Sequence, residues 1–109
     1  IVADIESAFE LSLKISKSFS AIPIITLGEM GAVFVDKGET HAEQARSVVA
    51  VDSVGAGDAF SGALAVGISE GMTLTEAVRF ASFAGSICVQ RRGAQVSMPI
   101  REEVDALLL

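Results

Sequence analysis

The chain is expected to be an α/β protein. Segments of helical period alternate with short apolar strand-like runs, half of its 109 residues are hydrophobic, and no repeat, linker or low-complexity tract interrupts the pattern. Asp4 is placed to cap a first helix, and Ala8, Leu11, Ile15 and Phe19 recur at helical spacing as its apolar face. "AIPIITLG" then reads as a short buried strand, entered at Pro23 where a missing N–H is tolerated and closed by Gly28. "GEMG" is a turn, "AVFVD" a second strand, and Lys37-Gly38 a hairpin tip leading into "ETHAEQA". "SVVAVD" reads as a third apolar strand ending at Asp52. Residues 57–70 form a helix of small residues stopped by Gly71, and Thr73 with Glu76 makes a capping box for a helix to about Val89. "RRGAQVSMP" is a loop, and Pro99 opens a final short helix, "IREEVDALL".

The bulk properties bound the function. The length suits about one domain with a modest core. A net charge of −6, with six Phe and neither Trp nor Tyr, argues against a nucleic-acid surface. Charged or polar residues interrupt every apolar run before it reaches membrane-spanning length, so no membrane partner is expected. Cys88 is the single cysteine, which excludes an internal disulfide framework and makes a reducing cytoplasm the default location. The opening "IVADIE" has no initiator Met and starts in mid-pattern, so a fragment of a longer chain is expected.

One stretch asks for chemistry. In "VDSVGAGDAFSGALAVG", Val51 to Gly67, Gly55-Ala56-Gly57 stands directly before Asp58, between a strand-like run and a helical one. A turn of small residues leading into a helix places backbone N–H groups at a positive helix terminus, and an anion can approach them closely. Asp58 lies at the same mouth, where a carboxylate suits general-base work beside an anion hole. The plainer reading has Asp58 complement the helix dipole while the glycines make a tight turn, and the pattern alone leaves both open. Competing motifs fail. No Lys follows Gly55 or Gly62 as a Walker loop requires, and Phe60 stands where the dinucleotide fingerprint needs a third Gly. His41 and Cys88 lack the further ligands of a zinc site, no Ser sits in a nucleophile elbow, and His41 reads as a solvated hairpin residue.

"DSVGAGDAFSGAL" resembles the C-terminal signature of the ribokinase-like carbohydrate kinases, a family that also holds fructokinases and adenosine kinases. The resemblance runs over nearly the whole chain: "IITLGEMGAVFV" is similar to the family's nucleotide-binding strand-turn-strand, and "RRGAQVSMPIREEVDALL" points to the ribokinase branch. It implies the C-terminal portion of a doubly wound α/β fold, residues 1–109 carrying the nucleotide-binding and catalytic part without the β lid. It implies transfer of the ATP γ-phosphate to a primary hydroxyl of a sugar such as ribose. Asp58 would be the base, and Gly55, Ala56 and Gly57 the anion hole, with positioning and charge stabilisation as the protein's main contribution. Thr26, Leu27, Gly28, Glu29, Met30 and Gly31, with Gly57 and Asp58, would contact the nucleotide; a plain hairpin turn would also demand Gly28 and Gly31. Cofactors implied are ATP, Mg2+ and an activating monovalent cation, K+. The matching cation positions are Asp52, Val54, Cys88, Arg91, Gly93 and Ser97, most of them acting through backbone carbonyls. Without the resemblance, Asp52 reads as a turn residue and Ser97 as a cap.

The sequence departs from the family at two places: Ser82 stands where a His near the adenine is common, and Cys88 where a small residue is usual. The family's sugar-binding glycine motif, its lid and the Asn/Glu motif that helps organise magnesium all belong ahead of the region matched here. The sugar is therefore not specified, and a homodimer of the complete protein is left open. The isolated chain is expected to be inactive. Against the kinase reading stands a catalytically incomplete fragment that binds nucleotide or oligomerises.

Overall fold

The computed structural model describes residues 4–18, 22–48, 51, 55–91 and 99–108. The chain divides into two compact units, Ile1–Ala45 and Arg46–Leu109.

In the first unit, helix α1 (Ile5–Ser18) packs on a three-stranded antiparallel sheet of order β1-β2-β3, with β1 at Ile24–Thr26, β2 at Ala32–Asp36 and β3 at Glu39–Glu43. Asp4 caps α1 as expected, its Oδ1 accepting the Ser7 N–H at 2.7 Å. The buried face differs from the expected one. Ala8 and Ser12 are buried and Leu11 is exposed, while Phe19 lies outside the described residues. Ser12 can take the deep position because its hydroxyl donates to the Ala8 carbonyl at 2.7 Å, so the buried oxygen is satisfied within its own helix. β1 is shorter and less buried than its β-branched run suggests, because it pairs on one side only among the described strands. β2 is the central strand, with Ala32 to Val35 all buried. Lys37 (φ 52°) and Gly38 (φ 79°) close the expected two-residue hairpin, with both central residues at positive φ, and set the Asp36–Glu39 register. His41, expected to be solvated, is half-buried and stacks on its cross-strand partner Phe34, ring centroids 5.1 Å apart.

The second unit is helical: α2 (Ala56–Ser69), α3 (Leu74–Val89) and α4 (Arg101–Leu108). The expected strand "SVVAVD" is not one at Ser47, Val48 or Val51; Val49, Ala50 and Asp52 lie outside the described residues. A strand needs a ladder, and Val51 instead gives its N–H to the carbonyl of Val89 at the end of α3, at 2.7 Å. α2 ends in a Schellman motif: Gly71 (φ 86°) donates to the Ile68 carbonyl and Met72 to that of Gly67. α3 begins with the expected capping box, in which Glu76 N–H donates to Thr73 Oγ1 at 3.2 Å and Thr73 N–H to Glu76 Oε1 at 2.9 Å.

Gly67 lets α2 approach α3 closely. A Cβ on Gly67 would lie 3.2 Å from that of Ala77, and one on Gly85 would lie 3.5 Å from the Ala56 carbonyl oxygen. Phe80, Ala84, Ile87 and Val104 form the core that fastens α4 to α3. Arg101 stacks over Phe80, its guanidinium 4.9 Å from the ring centroid, and is paired to Glu70 and Asp105. Arg91 at the foot of α3 pairs with Glu103 of α4, whose Oε1 also accepts the Ile100 N–H at 3.0 Å and so caps that helix.

Replacing Thr73 by Ala should destabilise the protein by about 1 kcal/mol, measured by urea denaturation followed at helical signal. An unchanged midpoint would show that the box contributes nothing. The Thr73 N–H also holds the Glu76 carboxyl below its ordinary value of 4.5, so this contribution is present above that value and is lost as pH falls through the lowered one.

Candidate active site

Gly55 is the N-cap of α2 and sits in the left-handed region, φ 85° and ψ −8°, a conformation open to glycine at little cost. The first backbone bond of the helix runs from Ala59 N–H to the Gly55 carbonyl at 2.9 Å. The N–H groups of Ala56, Gly57 and Asp58 therefore precede it with no intrahelical acceptor, at the positive end of the dipole. A Cβ on Gly57 would meet nothing within 4 Å, so space lies open beside these donors. Among the described residues no side chain caps this terminus, in contrast to α1 and α3. An anion would complete it.

Asp58 occupies the third position of α2 and is exposed. Among the described residues no hydrogen bond or ion pair engages its carboxylate, in contrast to Glu76 at the same position of α3. It lies at a cavity of about 300 Å³ formed by α2, α3 and α4, lined otherwise by apolar groups such as Val66, Phe80 and Ile100, with Arg101 at its margin. Arg101 is committed to Glu70, whose carboxyl it holds below the usual range by hydrogen bonding.

The other candidate residues fall in separate places. Thr26 ends β1, Leu27 follows it, Gly28–Met30 form one turn of 3-10 helix, and Gly31 enters β2. Leu27 N–H donates to the Gly31 carbonyl at 2.7 Å, and Gly31 N–H to that of Gly28 at 3.1 Å, so the turn closes on itself. Thr26, Gly28, Glu29 and Met30 are exposed, while Gly31 is buried. This turn belongs to the first unit and Gly55–Asp58 to the second. Of the cation positions, Cys88 is fully buried on α3, and Arg91 follows that helix, its N–H donating to the Cys88 carbonyl at 3.1 Å. Asp52, Val54, Gly93 and Ser97 lie outside the described residues. No cluster of three His, Cys, Asp or Glu that could hold a metal is found among the described residues, and none of their helices is long and apolar enough to cross a membrane.

Sequence patterning missed Arg46. Its Nε donates to Ser86 Oγ at 3.0 Å and its Nη2 to Gln90 Oε1 at 2.8 Å. The acceptors share a helix face at i and i+4, but no local spacing joins them to a residue 40 positions earlier in the chain.

Residues 2–101 match the model of the pfkB family carbohydrate kinases. The chain is 38% identical over 95 residues to the ribokinase of Lactococcus lactis, covering 87% of this chain and 32% of that protein. Its fold matches the structure of Arabidopsis thaliana ribokinase complexed with ribose and ATP, with a TM-score of 0.87 and 36% identity over 96% of this chain and 34% of that one. It also matches phosphofructokinase-2 of Escherichia coli in complex with potassium, with a TM-score of 0.84 and 25% identity over 97% of this chain and 34% of that one. The chain thus spans about a third of the length of these relatives.

Proposed function

This chain belongs to the pfkB family of carbohydrate kinases, and from that premise we propose that it is the nucleotide-binding and catalytic part of an ATP-dependent sugar kinase acting on a primary hydroxyl of a sugar such as ribose. The observation that carries this is the N-terminus of α2: a left-handed glycine cap, three N–H groups without intrahelical acceptors, and an exposed carboxylate that its own helix does not use. Bound ATP supplies the phosphoryl group. Asp58 takes the proton from the attacking hydroxyl, and the N–H groups of Ala56, Gly57 and Asp58 face the negative charge of the group in transfer. The exposed turn from Thr26 to Met30 contacts the nucleotide. The similarity to a relative solved with ribose and ATP supports these assignments. Magnesium accompanies the nucleotide in this reading, with no residue among those described assigned to hold it. A cytoplasmic location suits the single, buried cysteine.

Ribose-dependent formation of ADP by the full-length gene product that contains these residues tests the proposal, with fructose and adenosine as competing acceptors. No acceptor-dependent ADP from any of the three would reject it. A second reading, an incomplete module that oligomerises, is favoured by the exposure of Val51, Val66, Ile68 and Ile100.

Potassium is the proposed activating cation, and the match to a relative in complex with potassium supports it. The fit to this chain is through oxygen donors, the carboxylate of Asp52 and backbone carbonyls including those of Cys88 and Arg91. Turnover should rise when potassium replaces a large organic cation at constant ionic strength. Asp52→Asn should blunt the response by removing a formal charge. Equal rates in both salts, for parent and variant alike, would leave Asp52 a turn residue.

A further inference from the structure

We infer that Arg46 is a positioning residue for the anion-hole turn, an inference that rests on the catalytic reading of Gly55–Asp58. Arg46 is half-buried, and its guanidinium fork bridges two acceptors on the last turn of α3, Ser86 Oγ at 3.0 Å and Gln90 Oε1 at 2.8 Å. Ser86 is buried, and its hydroxyl donates to the Phe83 carbonyl at 2.7 Å, so the oxygen that receives Arg46 has a fixed orientation. Further along the same segment, Val51 N–H bonds the Val89 carbonyl at 2.7 Å. The incoming chain is thus fastened to the end of α3 at Arg46 and again at Val51.

From Val51 the backbone has only a short tether to Gly55, and an extended chain gains at most ~3.6 Å per residue. The other side of the same turn also lies against α3, where the Ala56 carbonyl oxygen would sit 3.5 Å from a Cβ on Gly85, an ordinary packing distance. The end of α3 is therefore the reference against which Gly55, Ala56 and Gly57 are held. Arg46 never reaches the reacting atoms in this account. It limits how far the N–H groups can drift from the phosphoryl group they must face. A displacement of about 1 Å at such a site can cost on the order of 10²-fold in rate.

The arrangement also predicts a variant that folds. With Arg46 truncated, Ser86 keeps its bond to Phe83, and no buried polar atom is orphaned. Arg46→Ala, Ser86→Ala and the double variant should be prepared in the full-length gene product, with Asp58→Asn alongside. For Arg46→Ala the turnover should fall about tenfold or more, with the KM for ATP within about threefold of the parent. Hydrogen exchange of the Val51 amide, bonded to the Val89 carbonyl, and of the Ala59 amide, bonded to the Gly55 carbonyl, should accelerate, while the melting temperature stays close to the parent's. Because Arg46 acts through Ser86, the double variant should be little worse than Arg46→Ala alone.

Parental exchange at Val51 and Ala59 in Arg46→Ala would overturn the inference, as would fully additive losses in the double variant. Parental turnover with accelerated exchange would overturn it too, since the turn would then be free to move without consequence. Normal turnover of Asp58→Asn would sink the catalytic reading instead, and the exchange data would still judge Arg46.

Discussion

Replacing Asp58 by Asn or Ala in the full-length gene product should lower turnover by on the order of 10²- to 10⁴-fold, the range general-base catalysis supplies. Affinity for ATP should change little, because a base acts mainly in the transition state. Single-turnover kinetics with a separate nucleotide-binding titration makes the distinction. The competing account treats Asp58 as a first-turn carboxylate that complements the dipole of α2. Such an interaction is worth about 0.3–1 kcal/mol of stability and nothing in rate.

The structure gives a comparison within the same chain. Asp4 and Glu76 are carboxylates at helix starts that serve their own helices: each accepts a backbone N–H, and each is held below its ordinary pKa by that bond. Asp58 is equivalent in position to Glu76, yet its cap residue is a glycine and its carboxylate is not engaged among the described residues. A residue placed there for helix stability would be expected to look like Glu76. Near-parental turnover in both Asp58 variants would nonetheless reject the base assignment.

What could be read from the sequence is what local chemistry decides. The Thr73/Glu76 box, the glycine stop at Gly71, the Lys37-Gly38 hairpin and the Asp4 cap each depend on a few neighbouring residues, and each is present. The final helix starts at Arg101, one residue later than read, because Glu103 reaches back to cap it at Ile100. The misreadings are those in which a distant partner decides. "SVVAVD" has strand composition, but a strand is a pairing, and among its described residues, Ser47, Val48 and Val51, none is in a strand and Val51 bonds a helix carbonyl instead. In α1 the apolar periodicity pointed to Leu11, while the deep position went to Ser12, whose hydroxyl is satisfied within its own helix. His41 read as a solvated hairpin residue, but the register sets it opposite Phe34, on which it stacks. At the candidate site the division is the same. Gly55 and Asp58 are legible because a helix N-terminus is a local object, whereas Arg46 contacts residues two elements further along the chain.

The two glycines of the Thr26–Gly31 turn should respond very differently to Ala. Gly31 has φ 96° and ψ −143°, a region essentially closed to other residues, and a Cβ there would overlap the Glu43 carbonyl oxygen and lie 2.9 Å from the Ala45 nitrogen. The obstacle is backbone, which cannot rotate away as a side chain can. Gly31→Ala should cost about 3–5 kcal/mol, combining the backbone penalty with displacement of β3 from β2. Gly28 has φ 59°, and a Cβ there would meet nothing within 4 Å, so Ala should cost only about 1–2 kcal/mol. Its missing side chain has no structural use that the fold reveals, and on the proposed reading it leaves room for the nucleotide. Gly28→Ala should then weaken ATP binding about tenfold, roughly 1.4 kcal/mol, while the β2–β3 amides keep their hydrogen-exchange protection. Gly31→Ala should strip that protection. Unchanged ATP affinity in Gly28→Ala would reduce the turn to a hairpin connection, and undiminished protection in Gly31→Ala would contradict the close approach of Gly31 to Glu43 on which the contrast rests.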